Sequence, residues 1–387
     1  MLNKAKSIHS QMVSWREDFH MHPELGFHEK RSAAKVAEIL ESIGCRVQTG
    51  IGKTGVIGEL GQGKPIIAIR ADMDALPIQE ANDVPYKSKN AGVMHACGHD
   101  AHMAILLGTA KLLSQEEFPG TVRFFFQPAE EIQDEDGLSG APRMIEDGAM
   151  QNVDAVIALH VYSATETGDI ELGEGNSAAG VDTFYGKVIG RGGHGSSPHK
   201  VVDPIFLSGY VILALNSIIS RRLHPHDPAV ISIGTIQGGT IDNVIPENVE
   251  LTGTIRFLEK KVQKKLHEEI KRAFEVAKTM GGDFELKIVE GYPPSDNNPL
   301  MVKLLDEVAE DLIGREHIKV PELGMGSEDF GYFTENVPGA MFYLGCKMND
   351  FERRHHDPQF DVHPDSLPIG AAIFAEAAIR FLKSNTE

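Results

Sequence analysis

Cysteine is scarce. The 387-residue chain has three, Cys45, Cys97 and Cys346, too few for a disulfide scaffold and an odd number besides, so a reducing compartment is the simpler reading. Long apolar runs are also missing: no segment approaches the roughly 20 consecutive apolar residues that cross a bilayer. The start, MLNKAKSIHSQMVSWREDFH, sets charged and polar residues where a secretory signal would carry its apolar core. A cytoplasmic chain without a membrane partner is the expectation. Positive charge is in deficit, with 37 Lys and Arg against 56 Asp and Glu and a formal net charge of -19. That disfavours nucleic acid as a partner and points to small molecules. Internal repeats and low-complexity tracts are absent.

What is present is a globular balance, 41% hydrophobic and 24% charged, in a chain longer than one hydrophobic core usually organises. Two domains are therefore expected. Residues 4–21 and 29–44 have helical spacing; in the second, Ala33, Val36, Ile39 and Leu40 recur on one face. Between them HPELGFHE reads as a turn. VIGEL, PIIAIRADMDAL, TVRFFFQP and AVIALHV have strand length and alternate with a helix near 101–114, a rhythm that implies a largely parallel sheet covered on both faces. From about Thr183 the pattern becomes strand, helix, two strands, helix, strand, a βαββαβ unit of domain size. After YPPSDNNP the first pattern resumes with a helix, the strand AMFYLG and a last helix. The class is α/β: a larger discontinuous domain, 1–182 and 293–387, interrupted by a smaller one, 183–292.

Chemistry concentrates at strand and loop ends. Met94 to His102 packs Cys97, three histidines and Asp100 into one loop, with Cys97 and His99 spaced to reach a common metal, Gly98 easing the bend and Asp100 placed to cap the next helix. His102 falls in the first helical turn, as a packing or supporting residue, and His95 has no assigned role. In FFFQPAEE an apolar strand runs into Glu130 and Glu131, which an extended backbone would point to opposite sides, one to metal and one to water as general base. Asp72 and Asp74 end one strand and His160 another, at the edge where parallel sheets bind ligands. His355 or His356 could add a last donor, and counting cannot choose between them. Two divalent ions would account for so many donors. Thiolate, imidazole and carboxylate together suit zinc, with manganese, cobalt or nickel as further options.

RADMDALP, MHACGHDAH, PAEE, GGHGSSPH, NVIPE with GTIR, and GSEDFGYF occur in this order across nearly the whole chain. Together they resemble the dinuclear metallohydrolases of the aminoacylase and carboxypeptidase superfamily, in the branch of hippurate hydrolases, auxin-conjugate amidohydrolases and N-acetyldiaminopimelate deacetylases. The resemblance implies a mixed-sheet catalytic domain with a ferredoxin-like lid and dimerisation domain. The implied reaction is hydrolysis of N-acyl amino acids by a homodimer or higher oligomer holding two metal ions. It implies Cys97, His99, Glu131, His160 and His356 as ligands, the last because the family's final ligand stands two residues before the proline. Glu130 would be general base and acid, and Asp74 the aspartate behind the metals. Asp72 stands where aminopeptidase-type relatives place a metal-binding histidine, which favours the amidohydrolase branch. His194 would reach a neighbouring subunit's site to steady the oxyanion, and Asn243 and Arg256 would hold the substrate. Ile132 to Gly140 departs from the pattern by being longer and acidic, and is expected to act as a mobile loop that sorts substrates by charge. Three alternatives are a dipeptidase or aminopeptidase of the same superfamily, a non-catalytic binding protein, and a dinucleotide enzyme using Gly190, Gly192 and Gly195. The last lacks a helix directly behind the loop and an acidic residue for the ribose.

Overall fold

The computed structural model describes residues 1–322, 324–348, 351 and 353–385, which divide into two compact units. The larger comprises Met1–Ser177, Asp296–Glu322 and Asp329–Glu387, and the smaller Ala178–Ser295 with a short segment ending at Glu328.

In the larger unit, β1 (Arg46–Ile51), β2 (Gly55–Gln62), β3 (Ile66–Asp72), β4 (Gly120–Gln127) and β5 (Ala155–Tyr162) join Gly339–Gly345, Ile170–Glu171 and Ile318–Lys319 in one eight-stranded sheet. Its order is β1, β2, β4, β3, β5, then 339–345, 170–171 and 318–319. The four central strands, β4, β3, β5 and 339–345, run parallel, while β1 and β2 add an antiparallel edge. Strand alternation decides which side chain joins which layer. Ile67, Ile69, Phe124, Phe126, Ile157 and Leu159 enter a core with helices that include His99–Leu113 and Leu367–Ser384. Their neighbours Ala68, Phe125, Val156 and Ala158 face the other way, against Gly140–Glu146 and Gly331–Thr334. With both faces covered, the central strands carry almost no polar residue except near their C-terminal ends, where water-excluding layers give way to loops.

Two local expectations differ. The first helix breaks at Ile8 into Leu2–Ser7 and His9–Met21. The mostly exposed edge strand β1 is absent from the apolar pattern because RVQTGI has too little apolar content to stand out. Helix Lys30–Ile43 buries Ala33, Val36, Ala37 and Leu40 at helical spacing and stops at Gly44, whose φ of 99° permits the left-handed cap. Its opening amides, Arg31 N–H and Ser32 N–H, donate to the Glu24 carboxylate at 2.9 and 2.8 Å.

The smaller unit is an antiparallel sheet in the order Ala229–Gln237, Asn248–Phe257, Gly180–Ile189, Asp283–Glu290. Helices Pro204–Arg221 and Lys260–Thr279 share its core: Leu207, Val211, Leu215, Leu266, Ile270 and Phe274 join Phe184, Val188, Leu251 and Ile255. Contrary to the hydropathy expectation, Pro204–Arg221 is long and apolar enough to cross a membrane by length and composition. Its Leu207, Val211, Leu215 and Ile218 are nonetheless buried at helical spacing, leaving Ile205, Phe206, Tyr210 and Leu213 exposed.

Helix His9–Met21 carries a buried cation into the larger unit. Arg16 donates through Nε to Asp100 at 2.9 Å, through Nη2 to Asp361 and through Nη1 to the Val362 carbonyl. Replacing Arg16 by Leu strands two buried carboxylates, so unfolding free energy should fall by about 3–5 kcal/mol, read as a lower denaturant midpoint at unchanged slope. Beside it, His20 lies 2.8 Å from Asp100 and 3.3 Å from Glu80. Burial pushes its pKa down, but the Asp100 carboxylate overrides this and lifts it to about 9. A raised folded-state pKa stabilises fully below the unfolded value of about 6.5, and that stability is lost as pH rises through about 9. Thermal melts of His20→Asn across pH 6 to 10 should show a shallower alkaline decline than wild type.

Candidate metal centre

The C-terminal ends of β3, β4 and β5 deliver Asp72, Gln127 and His160 to one edge. The loops beyond them supply the rest. Gly98, at φ 96°, turns the chain into helix His99–Leu113; a Cβ there would sit 2.3 Å from Val161 Cγ2, so the loop packs against β5 only because this residue is glycine. The Gly98 carbonyl accepts the amides of Ala101 and His102. Asp100 does not cap the helix as expected; its carboxylate is taken by Arg16 and His20.

Hydrogen bonds to acceptor-only groups fix the imidazoles. His99 Nδ1 donates to the Asp74 carbonyl at 2.8 Å, which leaves Nε2 buried and without a hydrogen-bond partner among the described residues. His160 Nδ1 donates to the Val161 carbonyl at 2.7 Å, turning Nε2 toward Cys97 Sγ at 3.4 Å. His102 is held from both sides, its Nε2 accepting Val161 N–H at 2.9 Å and its Nδ1 donating to Asp72 at 2.6 Å. This is the supporting part expected for it. Asp72 also accepts from Arg70, a guanidinium buried within the apolar β3, which further engages Gln127 and Asp329.

Glu130 and Glu131 are not in extended backbone. Ala129 has φ 42° and the two glutamates form a bend, so a left-handed turn and not strand alternation sets their course, and it brings both carboxylates within 4.8 Å of each other beside His99. Glu131 N–H donates to Asp74 Oδ2 at 3.0 Å. His356, also left-handed at φ 62°, places Nε2 3.1 Å from Glu131 Oε1 and is tied by its own N–H to the Ala96 carbonyl. His355 lies near too, with Nδ1 3.9 Å from Cys97 Sγ and Nε2 accepting Ser163 N–H.

Three overlapping groups bring donor atoms within 4.8 Å of one another: Cys97, His99 and His160; Cys97, Glu131 and His356; His99, Glu130 and Glu131. Shared donors, with the Nδ1 atoms of His99 and His160 held by backbone carbonyls so that their Nε2 atoms face the group, fit a pair of divalent cations. Burial, with the Glu131 and Glu130 carboxylates, pushes the Cys97 thiol well above its usual range. His99, despite burial, is lifted by Asp72 and Asp74 to about 10, and the adjacent Glu131 carboxylate raises His356.

The 132–140 segment differs from the expected mobile acidic loop. Asp134 accepts from Lys53 at 2.6 Å, from Arg143 at 2.8 Å and from the amides of Asp136 and Leu138, and Arg143 also takes Asp136. Two of its three acids are thus neutralised by cations that lie outside the segment. In the smaller unit, His194 belongs to a two-residue strand paired with Val244, and Gly195 N–H donates to the Asn243 carbonyl at 2.8 Å, so His194 and Asn243 are neighbours. Arg256 is half-buried and donates to Ser327 Oγ at 2.6 Å; burial lowers its pKa. Arg70, Asp329 and Glu29 escaped sequence reading. An arginine inside the apolar run IIAIRAD was the available signal for the first.

The profile of peptidase family M20/M25/M40 matches residues 68–380. The chain is 38% identical over 385 residues to the N-acetylcysteine deacetylase of Bacillus subtilis, covering 98% of this chain and 99% of the relative. It is 40% identical over 391 residues to thermostable carboxypeptidase 2 of Saccharolobus solfataricus, covering 98% and 97%. The solved structure of Bacillus subtilis YXEP, described as a dinuclear metal-binding peptidase, superposes with a TM-score of 0.86 at 35% identity, over 98% of this chain and 99% of that one.

Because Cys97 and His99 hold protons when no metal is bound, filling the centre must expel them. Adding Zn²⁺ to chelator-stripped protein in weak buffer at pH 7 should release protons, and Cys97→Ala should release fewer. An absence of acidification at saturating zinc would contradict this donor set.

Proposed function

The chain belongs to peptidase family M20/M25/M40, enzymes that hydrolyse amide bonds, and on that premise we propose that it acts on small N-acyl amino acids, with Cys97, His99, Glu131, His160 and His356 holding two divalent ions. The observation that carries this is the gathering of those donors in overlapping groups that share Cys97, His99 and Glu131, with His99 Nε2 buried and without a hydrogen bond among the described residues. Zn²⁺ or Mn²⁺ is the native metal in this reading, with Co²⁺ or Ni²⁺ compatible with the same donors. Bound there, the ions supply Lewis acidity, lowering the pKa of a water and opposing charge on the carbonyl oxygen.

The side chains divide the remaining work. Glu130, almost fully buried, takes the proton of the attacking water and passes it to the departing nitrogen. Asp74 orients the centre, its carbonyl fixing the His99 tautomer and its carboxylate the Glu131 amide. Arg256, which no carboxylate pairs with among the described residues, takes the substrate carboxylate together with Asn243. His194, exposed on its short strand, steadies the oxyanion from a second copy of the chain. Ile205, Phe206, Tyr210 and Leu213, bared on one helix, support such a homodimer. The buried free thiols Cys45, Cys97 and Cys346 are in keeping with a cytoplasmic location. The carboxypeptidase relative supports peptide substrates, with a dipeptidase or aminopeptidase activity, as a second reading.

Metal-loaded and stripped protein, offered N-acetyl, N-benzoyl and indole-acyl amino acids beside dipeptides, should release amine from the acylated set only when loaded. Cleavage confined to dipeptides would transfer the assignment to the peptidase reading, and no turnover with any metal would defeat both. Glu130→Gln should lower kcat by about 10²- to 10⁴-fold with bound metal unchanged; substantial residual activity would remove Glu130 from the role of base.

A further inference from the structure

The turn HPELGFHE has no part in the chemistry proposed above, yet it lies against the segment that carries both glutamates. Gly26 leaves no room for a side chain: a Cβ there would fall 2.6 Å from Ile132 Cγ1 and 3.0 Å from the Ala129 Cβ. Three residues on, Glu29 is fully buried. Its Oε1 accepts Ala129 N–H at 2.8 Å and its Oε2 accepts the Thr54 hydroxyl at 2.5 Å. No cation pairs with it among the described residues, an arrangement that costs stability and calls for another reason to exist.

That reason lies in the backbone it grips. The Ala129 carbonyl takes Gly140 N–H at 2.9 Å, so both backbone polar groups of this residue are spoken for. Two residues later Asp74 Oδ2 accepts Glu131 N–H at 3.0 Å. Two buried carboxylates, Glu29 and Asp74, therefore clasp the amides on either side of Glu130. Between them Ala129 is held at φ 42°, a region an L-residue with a Cβ rarely enters unless its surroundings enforce it.

We infer that Glu29 is a positioning residue for Glu130: by anchoring the Ala129 amide it keeps the left-handed turn that sets the directions in which Glu130 and Glu131 leave the chain. The inference rests on reading Glu130 as the base. Glu29 touches neither substrate nor metal donors and acts through the backbone alone.

The test uses Glu29→Met, which fills the volume without an acceptor, and Glu29→Gln, which keeps an oxygen for Ala129 N–H. With any substrate that the wild type hydrolyses, E29M should lower kcat about 10- to 100-fold, the scale of a small misplacement, with KM within about threefold and both metals retained by elemental analysis. E29Q should stay within about threefold of wild type. Ala129→Gly added to E29M should recover at least about fivefold in kcat, because glycine enters positive φ without steric cost. E29A repeats the comparison should E29M not fold. A kcat loss that A129G fails to relieve, or one matched by lost metal, overturns the inference in favour of a general structural role. Hydrogen exchange gives a readout independent of catalysis: in metal-free protein the Ala129 amide should exchange faster in E29M than in wild type. Equal exchange overturns the inference, whereas an active E130Q variant would instead defeat the assignment of the base and leave this measurement standing.

Discussion

The Asp72 carboxylate is the interaction around which the centre is assembled. Buried at the end of β3, it accepts from Arg70 on its own strand and from His102 on the following helix, and His102 in turn receives the Val161 amide of β5. Strand, helix and neighbouring strand are thereby joined at one group. A carboxylate so far from water is stable as an anion only with such partners, and His99, Arg70 and His102 together hold it well below the usual range against burial. His99 stacks on His102, so the ring that faces the centre is packed against the ring that serves the support.

Around this hub the chain adopts left-handed conformations at three positions. Gly98, Ala129 and His356 all have positive φ, and each immediately precedes or is itself a proposed metal-binding or catalytic residue. Such turns persist because packing and hydrogen bonds over-determine them. At Gly98 the space itself requires glycine, at Ala129 two hydrogen bonds and a close neighbour impose the turn, and at His356 the Ala96 carbonyl anchors it.

The larger unit also shows why the donors must be diverse. A cluster of carboxylates alone would repel, and a cluster of imidazoles alone would lose its charge to burial, as His160 does under desolvation and neighbouring His102 and His355. Mixing thiol, imidazole and carboxylate lets protons occupy the centre until cations displace them. Two nested shells result, one whose atoms point inward and one, made of Asp72, Asp74, Arg70 and backbone carbonyls, that decides how they point.

Much of this was legible in the amino-acid order. Alternating apolar strands and helices forecast the covered parallel core, and the change of rhythm after residue 182 forecast a second βαββαβ sheet, because hydrophobic periodicity is a local property. Cys97 and His99 could be named from their spacing in one loop, and Glu130, Glu131 and His160 because strand ends in parallel sheets collect ligands. Other features depend on what lies opposite in space. That Asp100 serves Arg16 instead of capping its helix, that Asp134 is tied to Lys53 and Arg143, and that His356 meets Glu131 while His355 meets Cys97 are matters of long-range packing. Hydrophobic periodicity and residue type, read along the chain, settle which layers form and which chemical groups reach their edge. The partner of each charge and the turn that aims the two glutamates follow instead from close contacts between segments up to hundreds of residues apart, which no local pattern carries.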